Sequence, residues 1–169
     1  MTPISHLSEI GACSSAISWV MAGKFSDLES AWLACEEPQY LLWYAGRKSG
    51  GSESDGRKKL VLCAMACAKL ALPIWEKRYP KDDRVRVCIE TAEKWAHGDA
   101  TISDVRLARQ ECRKAAYAAA DALTTATESA YAAYAAADAA AYAYAYAERK
   151  RVLKLCADIV HKFYPTLPA

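Results

Sequence analysis

The alanine-rich stretch from Lys114 to Ala147 constrains the fold of this chain more than any other segment. It contains little besides alanine, tyrosine, aspartate and threonine, and it has no glycine or proline that would interrupt a helix. Because alanine has the highest intrinsic helix propensity, the stretch is predicted to be helical. Its methyl side chains allow neighbouring helices to approach closely, near the short end of the roughly 8–10 Å range of axis separations. The bulky side chains of the core must therefore come from the rest of the chain.

The C-terminal helices are expected to form a long hairpin rich in alanine and tyrosine. A single helix from Thr101 to Phe163 would measure about 90 Å at 1.5 Å per residue, which is far longer than a compact domain of this size. The sequence TATE at Thr125–Glu128 is typical of a capping box, which can start a new helix. We therefore predict a turn near Leu123–Thr127.

Helix signals continue through the rest of the chain. Pro73 is predicted to kink or end a buried helix, because its ring removes a backbone hydrogen bond. Gly98 is placed to end another helix in the left-handed conformation, and Thr101 with Asp104 marks the next helix start. The glycine- and serine-rich stretch of about 47–58 is predicted to be an exposed loop.

No segment alternates with the period of two that is typical of strands. The chain is therefore predicted to be all-α, as a compact bundle of six to eight helices in a single domain over residues 1–169.

Composition and charge limit the classes of function. The net charge of +2 argues against a dedicated nucleic-acid binder, which is usually clearly basic. The first ten residues are too polar for a signal peptide, and no apolar run is long enough to cross a membrane. An odd number of cysteines, seven, in a chain without a secretion signal indicates reduced thiols. We therefore expect a cytoplasmic protein that contacts no membrane.

No catalytic or metal-binding constellation is recognisable in the sequence. Cys63 and Cys67 share a helical face, but no second ligand pair completes a zinc site, so they are interpreted as core thiols. The three histidines are scattered and have no nucleophile pattern beside them. His97 suits a helix end, where an imidazolium favours the dipole. We therefore predict no enzyme activity, no cofactor and no metal.

Aromatic and basic side chains are the candidates for binding. Tyrosine and tryptophan give large contact areas at low cost in conformational entropy, although a tyrosine in an alanine rod can also pack its ring in the core. Arginines of the helix before the tract, together with Lys114, suit phosphate if the tyrosines stack on a base. The candidate contact residues for a partner or ligand are Trp43, Tyr44, Arg47, His97, Arg106, Arg109, Arg113, Tyr131, Tyr134, Tyr142, Tyr144 and Tyr146.

Several short apolar segments, in the order in which they occur along the chain, resemble the all-α immunity proteins of the Imm-5 type. Similar alanine-rich proteins occur in bacteriophages. The likeness extends from about Phe25 to Ala147 and is clearest in the sequence WAHGDAT at Trp95–Thr101. The other matching segments are Ala31–Cys35, Leu41–Trp43, Leu62–Ala68, Glu90–Gly98 and the alanine-rich tail. No catalytic residues come with this family.

The resemblance implies a helical protein that binds and neutralises another protein, either as toxin immunity or as a phage counter-defence inhibitor. We expect occlusion, in which a preformed face of aromatic and basic residues covers the active surface of the partner. The alternative is a sponge that sequesters a nucleotide-type signal in a pocket lined by tyrosine and arginine. A homo-oligomer is a further alternative, because an alanine-rich helix with tyrosines on several faces has surface left to bury.

Overall fold

The computed structural model describes residues 2–51, 53–129 and 150–169, and within them all side chains except those of 116 and 118–129. These residues form eight helices and no strand, so the prediction of an all-α protein is confirmed. The helices are α1 (Pro3–Glu9), α2 (Ser14–Gly23), α3 (Leu28–Ala34), α4 (Pro38–Lys48), α5 (Asp55–Arg78), α6 (Arg84–His97), α7 (Ile102–Ser129) and α8 (150–163).

The turn predicted near Leu123–Thr127 is wrong. Helix α7 continues without interruption to Ser129, about 42 Å at 1.5 Å per residue. The high helix propensity of the alanines outweighs the capping sequence, and no glycine or proline offers an alternative backbone conformation. The rest of the predicted hairpin falls in 130–149, outside the described residues.

The exposed loop is shorter than the predicted 47–58. Helix α4 ends at Lys48 and α5 begins at Asp55, so the connection comprises 49–54. The Ser54 hydroxyl accepts the backbone N–H of Arg57 at 3.1 Å, which caps α5, and donates to the carbonyl oxygen of Ser49. Ser49 is itself buried, and its hydroxyl donates to the carbonyl oxygen of Gly46 at 2.9 Å.

Helix α5 continues through Pro73 to Arg78. Of the two outcomes predicted at this proline, the helix end is therefore wrong, and the kink stays a prediction. A proline removes one backbone hydrogen bond, and here the remaining turns carry the helix onward.

The contacts of the chain group into two compact units. The first unit comprises residues 1–64 and 153–169, and the second comprises 65–152. Helix α5 contributes its first ten residues to the first unit and the remainder to the second. The single domain over 1–169 stays a prediction.

Trp32 on α3 is the centre of the first unit, and only 4% of its surface is exposed. Its indole Nε1–H donates to the carbonyl oxygen of Tyr164 at 3.1 Å, and its own carbonyl oxygen accepts from His161 Nε2 at 3.0 Å. The rings of Tyr44 and His161 lie 5.9 and 6.0 Å from the Trp32 ring. These contacts fasten α3 to the C-terminal segment of the chain.

In the second unit, α6 packs along α7. Ile89, Ala92, Trp95 and Ala96 are the buried residues of α6, and Ala115 of α7 is almost completely buried. A small side chain at this position allows a close approach of the two helices. An ion pair of 2.6 Å between Lys69 and Glu93 connects α5 to α6.

The connection between α6 and α7 follows the sequence prediction. Gly98 has φ +90° and ends α6 in the left-handed conformation. The backbone N–H of Asp104 donates to the Thr101 hydroxyl at 3.2 Å, and the Asp104 carboxylate accepts the backbone N–H of Thr101 at 2.8 Å. This reciprocal capping box starts α7, as predicted.

Candidate functional site

The candidate residues of α4 separate into exposed and buried positions. Arg47 is exposed, and its guanidinium carbon lies 6.0 Å from the centre of the half-buried Trp43 ring. Tyr44 is only 6% exposed and packs against Trp32, and its hydroxyl lies 3.4 Å from Nε2 of His6. Burial raises the pKa of the Tyr44 hydroxyl above its ordinary value. Tyr44 is therefore a core residue, which corrects its prediction as a contact residue.

His97 is exposed at the last position of α6, directly before Gly98. This position matches the predicted placement at a helix C-terminus, where a positive charge interacts favourably with the helix dipole. His97 does not belong to the groove described next.

The arginines of α7 form the most developed candidate site. Arg106, Arg109 and Arg113 are all exposed and line one shallow groove. Spacings of three and four residues place them on a single side of the helix, because the α-helix repeats every 3.6 residues. The same groove also includes Gln110, Lys114 and Tyr117.

Two contacts organise the C-terminal end of this groove. Arg113 Nη2 donates to the Tyr117 hydroxyl at 3.1 Å, and the guanidinium carbon lies 5.8 Å from the centre of the ring. The hydrogen bond and the positive charge lower the pKa of Tyr117. Lys114 forms an ion pair of 2.6 Å with Glu111. Arg113 thus orients the tyrosine ring, and Lys114 has part of its charge balanced.

Arg106 and Arg109 have no ion-pair partner within the described parts of the chain. Their guanidinium groups supply planar sets of N–H donors that fit carboxylate or phosphate oxygens. We call the surface made by Arg106, Arg109, Gln110, Arg113, Lys114 and Tyr117 the basic face of α7. This face presents N–H donors that suit anionic groups beside an oriented aromatic ring.

Tyr117 was absent from the predicted contact residues although it is 65% exposed. The sequence carried a signal for it, because Arg113 and Tyr117 are four residues apart and side chains at this spacing meet on a helix. Leu107, which is 61% exposed on the same helix, was also missed. An exposed leucine has no local sequence signature, since its burial depends on what packs against α7. The predicted contacts Tyr131, Tyr134, Tyr142, Tyr144 and Tyr146 lie outside the described residues.

Two of the histidines and several of the thiols take part in packing. The ring of His6 contacts the Tyr44 hydroxyl, and that of His161 donates to a backbone carbonyl. Cys63 and Cys67 are buried, as predicted for core thiols. Among the described residues, no group of three or more potential ligands is arranged to hold a metal ion. None of the described helices is long and apolar enough to span a bilayer.

These observations define an all-helical protein whose second unit presents a basic face with an oriented aromatic ring. Residues 51–161 match the family described as "Imm-5 like putative immunity protein". The match covers well over half of the chain, so the chain belongs to this family, and the predicted resemblance is confirmed. The matched region contains the whole basic face of α7. Searches of curated proteins and of solved structures gave no match.

Proposed function

We propose that this protein is a non-enzymatic, cytosolic immunity protein that binds another protein, a toxin or a defence component, and neutralises it by covering its active surface. Family membership supports the immunity function in general. The observation that carries the specific proposal is the basic face of α7, where exposed arginines stand beside an oriented tyrosine, and Arg106 and Arg109 have no ion-pair partner among the described residues.

The residue types of this face suit a protein interface. Tyrosine and arginine are enriched at interfaces and dominate their energetics, whereas lysine is depleted. Tyr117 is already held by Arg113, so little conformational entropy is lost when a partner covers the ring. The exposed side chain of Leu107 adds apolar area on the same helix.

The charge of the face predicts the charge of the partner. Arg106 and Arg109 have spare donors, so the complementary surface carries carboxylates. Such complementarity accelerates association and makes it sensitive to salt, because the exposed charges are screened beyond about 8 Å at physiological ionic strength. An acidic active-site rim on a toxin would be recognised in this way.

The test is capture of a partner from the cells that carry this protein, with three forms of the tagged full chain. The wild type is compared with the triple variant Arg106→Glu, Arg109→Glu and Arg113→Glu. A matched control carries Lys77→Glu, Lys81→Glu and Lys94→Glu, which change the net charge equally at exposed positions of the second unit.

We expect a stoichiometric partner with the wild type and the control, and its loss with the arginine variant. Adding back the wild-type chain should then suppress the partner's activity, and the arginine variant should not. No stoichiometric partner with any form, in repeated experiments, contradicts the proposal. The identity of the captured protein separates toxin immunity from phage counter-defence, because both use the same occlusion mechanism.

The second candidate function is a sponge for a nucleotide-type signal. The contact between Arg113 and Tyr117 favours it, because it places a guanidinium beside a ring on which a base can stack. A thermal-shift panel of cyclic and ADP-ribose-like nucleotides tests it, since a ligand that binds the native state raises the melting temperature. If no nucleotide of the panel raises the melting temperature, this candidate function is ruled out.

A further inference from the structure

A second concave site lies in the second unit and shares no lining residue with the basic face of α7. It is an apolar cleft of about 610 Å³ formed by side chains of α5, α6 and α7 and by Tyr79. This volume lies within the roughly 300–1,000 Å³ range of small-molecule sites.

The walls of the cleft are apolar and partly open to solvent. Leu72, Trp75 and Ile89 line it, together with Ile74, which is 54% exposed. An exposed large aliphatic side chain beside an apolar hollow leaves contact area available for a ligand.

Two thiols, Cys88 of α6 and Cys112 of α7, complete one wall. Burial, followed by the neighbouring Cys112, raises the pKa of the Cys88 thiol and so favours its uncharged form. The lining is otherwise almost entirely aliphatic and aromatic, which suits a hydrocarbon rather than a polar ligand.

One end of the cleft is fixed and charged. Trp75 Nε1–H donates to the carbonyl oxygen of Asp82 at 3.3 Å, and the rings of Trp75 and Tyr79 lie 4.5 Å apart. Arg78 is exposed at this end and is the only charged residue among the described lining residues. It has no ion-pair partner within the described ranges, so its donors are available.

We propose that this cleft binds a single-chain aliphatic carboxylate, with the hydrocarbon chain along Leu72, Ile74 and Ile89 and the carboxylate at Arg78. The apolar walls supply affinity that grows with chain length, by about fourfold for each additional buried methylene. The guanidinium supplies the selectivity for an anionic head group, because arginine binds a carboxylate through two parallel hydrogen bonds.

The experiment uses the full chain and dodecanoate below its micellar concentration. Calorimetry measures affinity, and alkylation resolved by mass spectrometry reports the site. We expect dodecanoate to slow the alkylation of Cys88 and Cys112. Cys13, an exposed free thiol of the first unit, should react at an unchanged rate and serves as the internal control.

Three variants locate the ligand. Ala71→Phe introduces a ring at an exposed lining position and should abolish binding, with Ala68→Phe as a second blocking variant if the first does not fold. Arg78→Glu should weaken dodecanoate binding by about tenfold or more, since a charge-assisted hydrogen-bonded pair is lost. Lys77→Glu is the matched control, because it makes the same charge change one residue away and outside the cleft.

Dodecanol, which lacks the charge, should bind the wild type more weakly than dodecanoate does. The affinity of dodecanol should be the same for the wild type and for Arg78→Glu. Three results together support the proposal: dodecanoate slows the alkylation of both thiols, the blocking variants no longer bind it, and its affinity falls in Arg78→Glu. Equal binding of dodecanol and dodecanoate to the wild type overturns it, as does unchanged alkylation of Cys88 and Cys112 at saturating dodecanoate. Partner capture through the basic face does not depend on this result, so each proposal can fail alone.

Discussion

The core of the first unit and the open sites of the second unit use the same residue types in different ways. In the first unit, Trp32 and Glu29 are bonded internally: the Trp32 indole N–H donates to the carbonyl oxygen of Tyr164, and the backbone N–H of Leu167 donates to the Glu29 carboxylate at 2.9 Å. In the second unit, the arginines of α7 and the cleft beside Trp75 remain open to solvent. The comparison teaches that aromatic and basic content indicates neither packing nor binding until the neighbours of each side chain are known.

Sequence separation explains part of this difference. Trp32 and Tyr164 are 132 residues apart in the sequence, so their hydrogen bond forms only when two distant segments come together. The basic face of α7 comes from one helix, and its arginines need no distant segment to be arranged on one side. A local arrangement of this kind can be changed without loss of the fold.

The largest expected effect is that of Trp32→Ala in the first unit. Removal of a buried tryptophan and its hydrogen bond should lower the free energy of unfolding by about 3–5 kcal/mol, measured by urea titration. Leu33→Ala is the control, because the neighbouring leucine is largely exposed and should matter little. A loss of less than about 1 kcal/mol at Trp32, typical of an ordinary substitution, would contradict the role of this residue as the centre of the first unit.

The next effect is expected at Gly98 in the second unit. Gly98→Ala places a Cβ on a residue with φ +90°, and the backbone conformation should cost about 1–2 kcal/mol. No atom lies within 4 Å of the added Cβ, so the cost is conformational and not steric. Gly51→Ala is matched, because its Cβ also meets nothing while its φ is not positive, and it should be nearly neutral. Equal urea midpoints for the two variants would refute this account of the helix end.

A smaller effect is expected from the capping box of α7 in acid. Hydrogen bonds from the hydroxyl and backbone N–H of Thr101 lower the pKa of Asp104 below its ordinary value of 3.8. The capping contribution is therefore complete above the unfolded pKa and disappears as the pH falls through the lowered folded pKa. Wild type should be more stable than Asp104→Asn at neutral pH, and the two urea midpoints should converge in acid.

Asp83→Asn is the control for this titration, because Asp83 precedes α6 without a side-chain capping hydrogen bond. A difference between wild type and Asp104→Asn that stays constant down to acid pH would show that the charge of Asp104 is not involved.

The smallest effect on stability is expected from combined replacement of Arg106, Arg109 and Arg113 by alanine. All three are exposed, and within the described groove Arg113 contacts Tyr117 through a hydrogen bond and a cation–π interaction. The urea midpoint should therefore shift less than in Gly98→Ala. A loss comparable to that of Trp32→Ala would mean that these arginines hold the fold together, and the contrast between the two units would fail.

Features that depend on neighbouring residues in the chain could be predicted from the sequence. The all-α class follows from helix propensity and periodicity, and the Gly98 end and the Thr101 capping box follow from short-range backbone requirements. The arginine side of α7 also follows from spacing alone, since residues three and four apart share a helical face.

Other features were predicted wrongly from local signals, or could not be predicted because they need distant segments to come together. Tyr44 was predicted as a contact residue for a partner, yet it is buried and packs against Trp32 and His6. Local signals predicted a kink or a helix end at Pro73 and a turn near Leu123, and both helices continue past these positions. The cleft beside Arg78 requires three helices to come together before it exists. Helix propensity and capping are properties of a few consecutive residues. The burial or exposure of a side chain and the formation of a concave site arise only when separate helices pack, and so only the tertiary structure decided them.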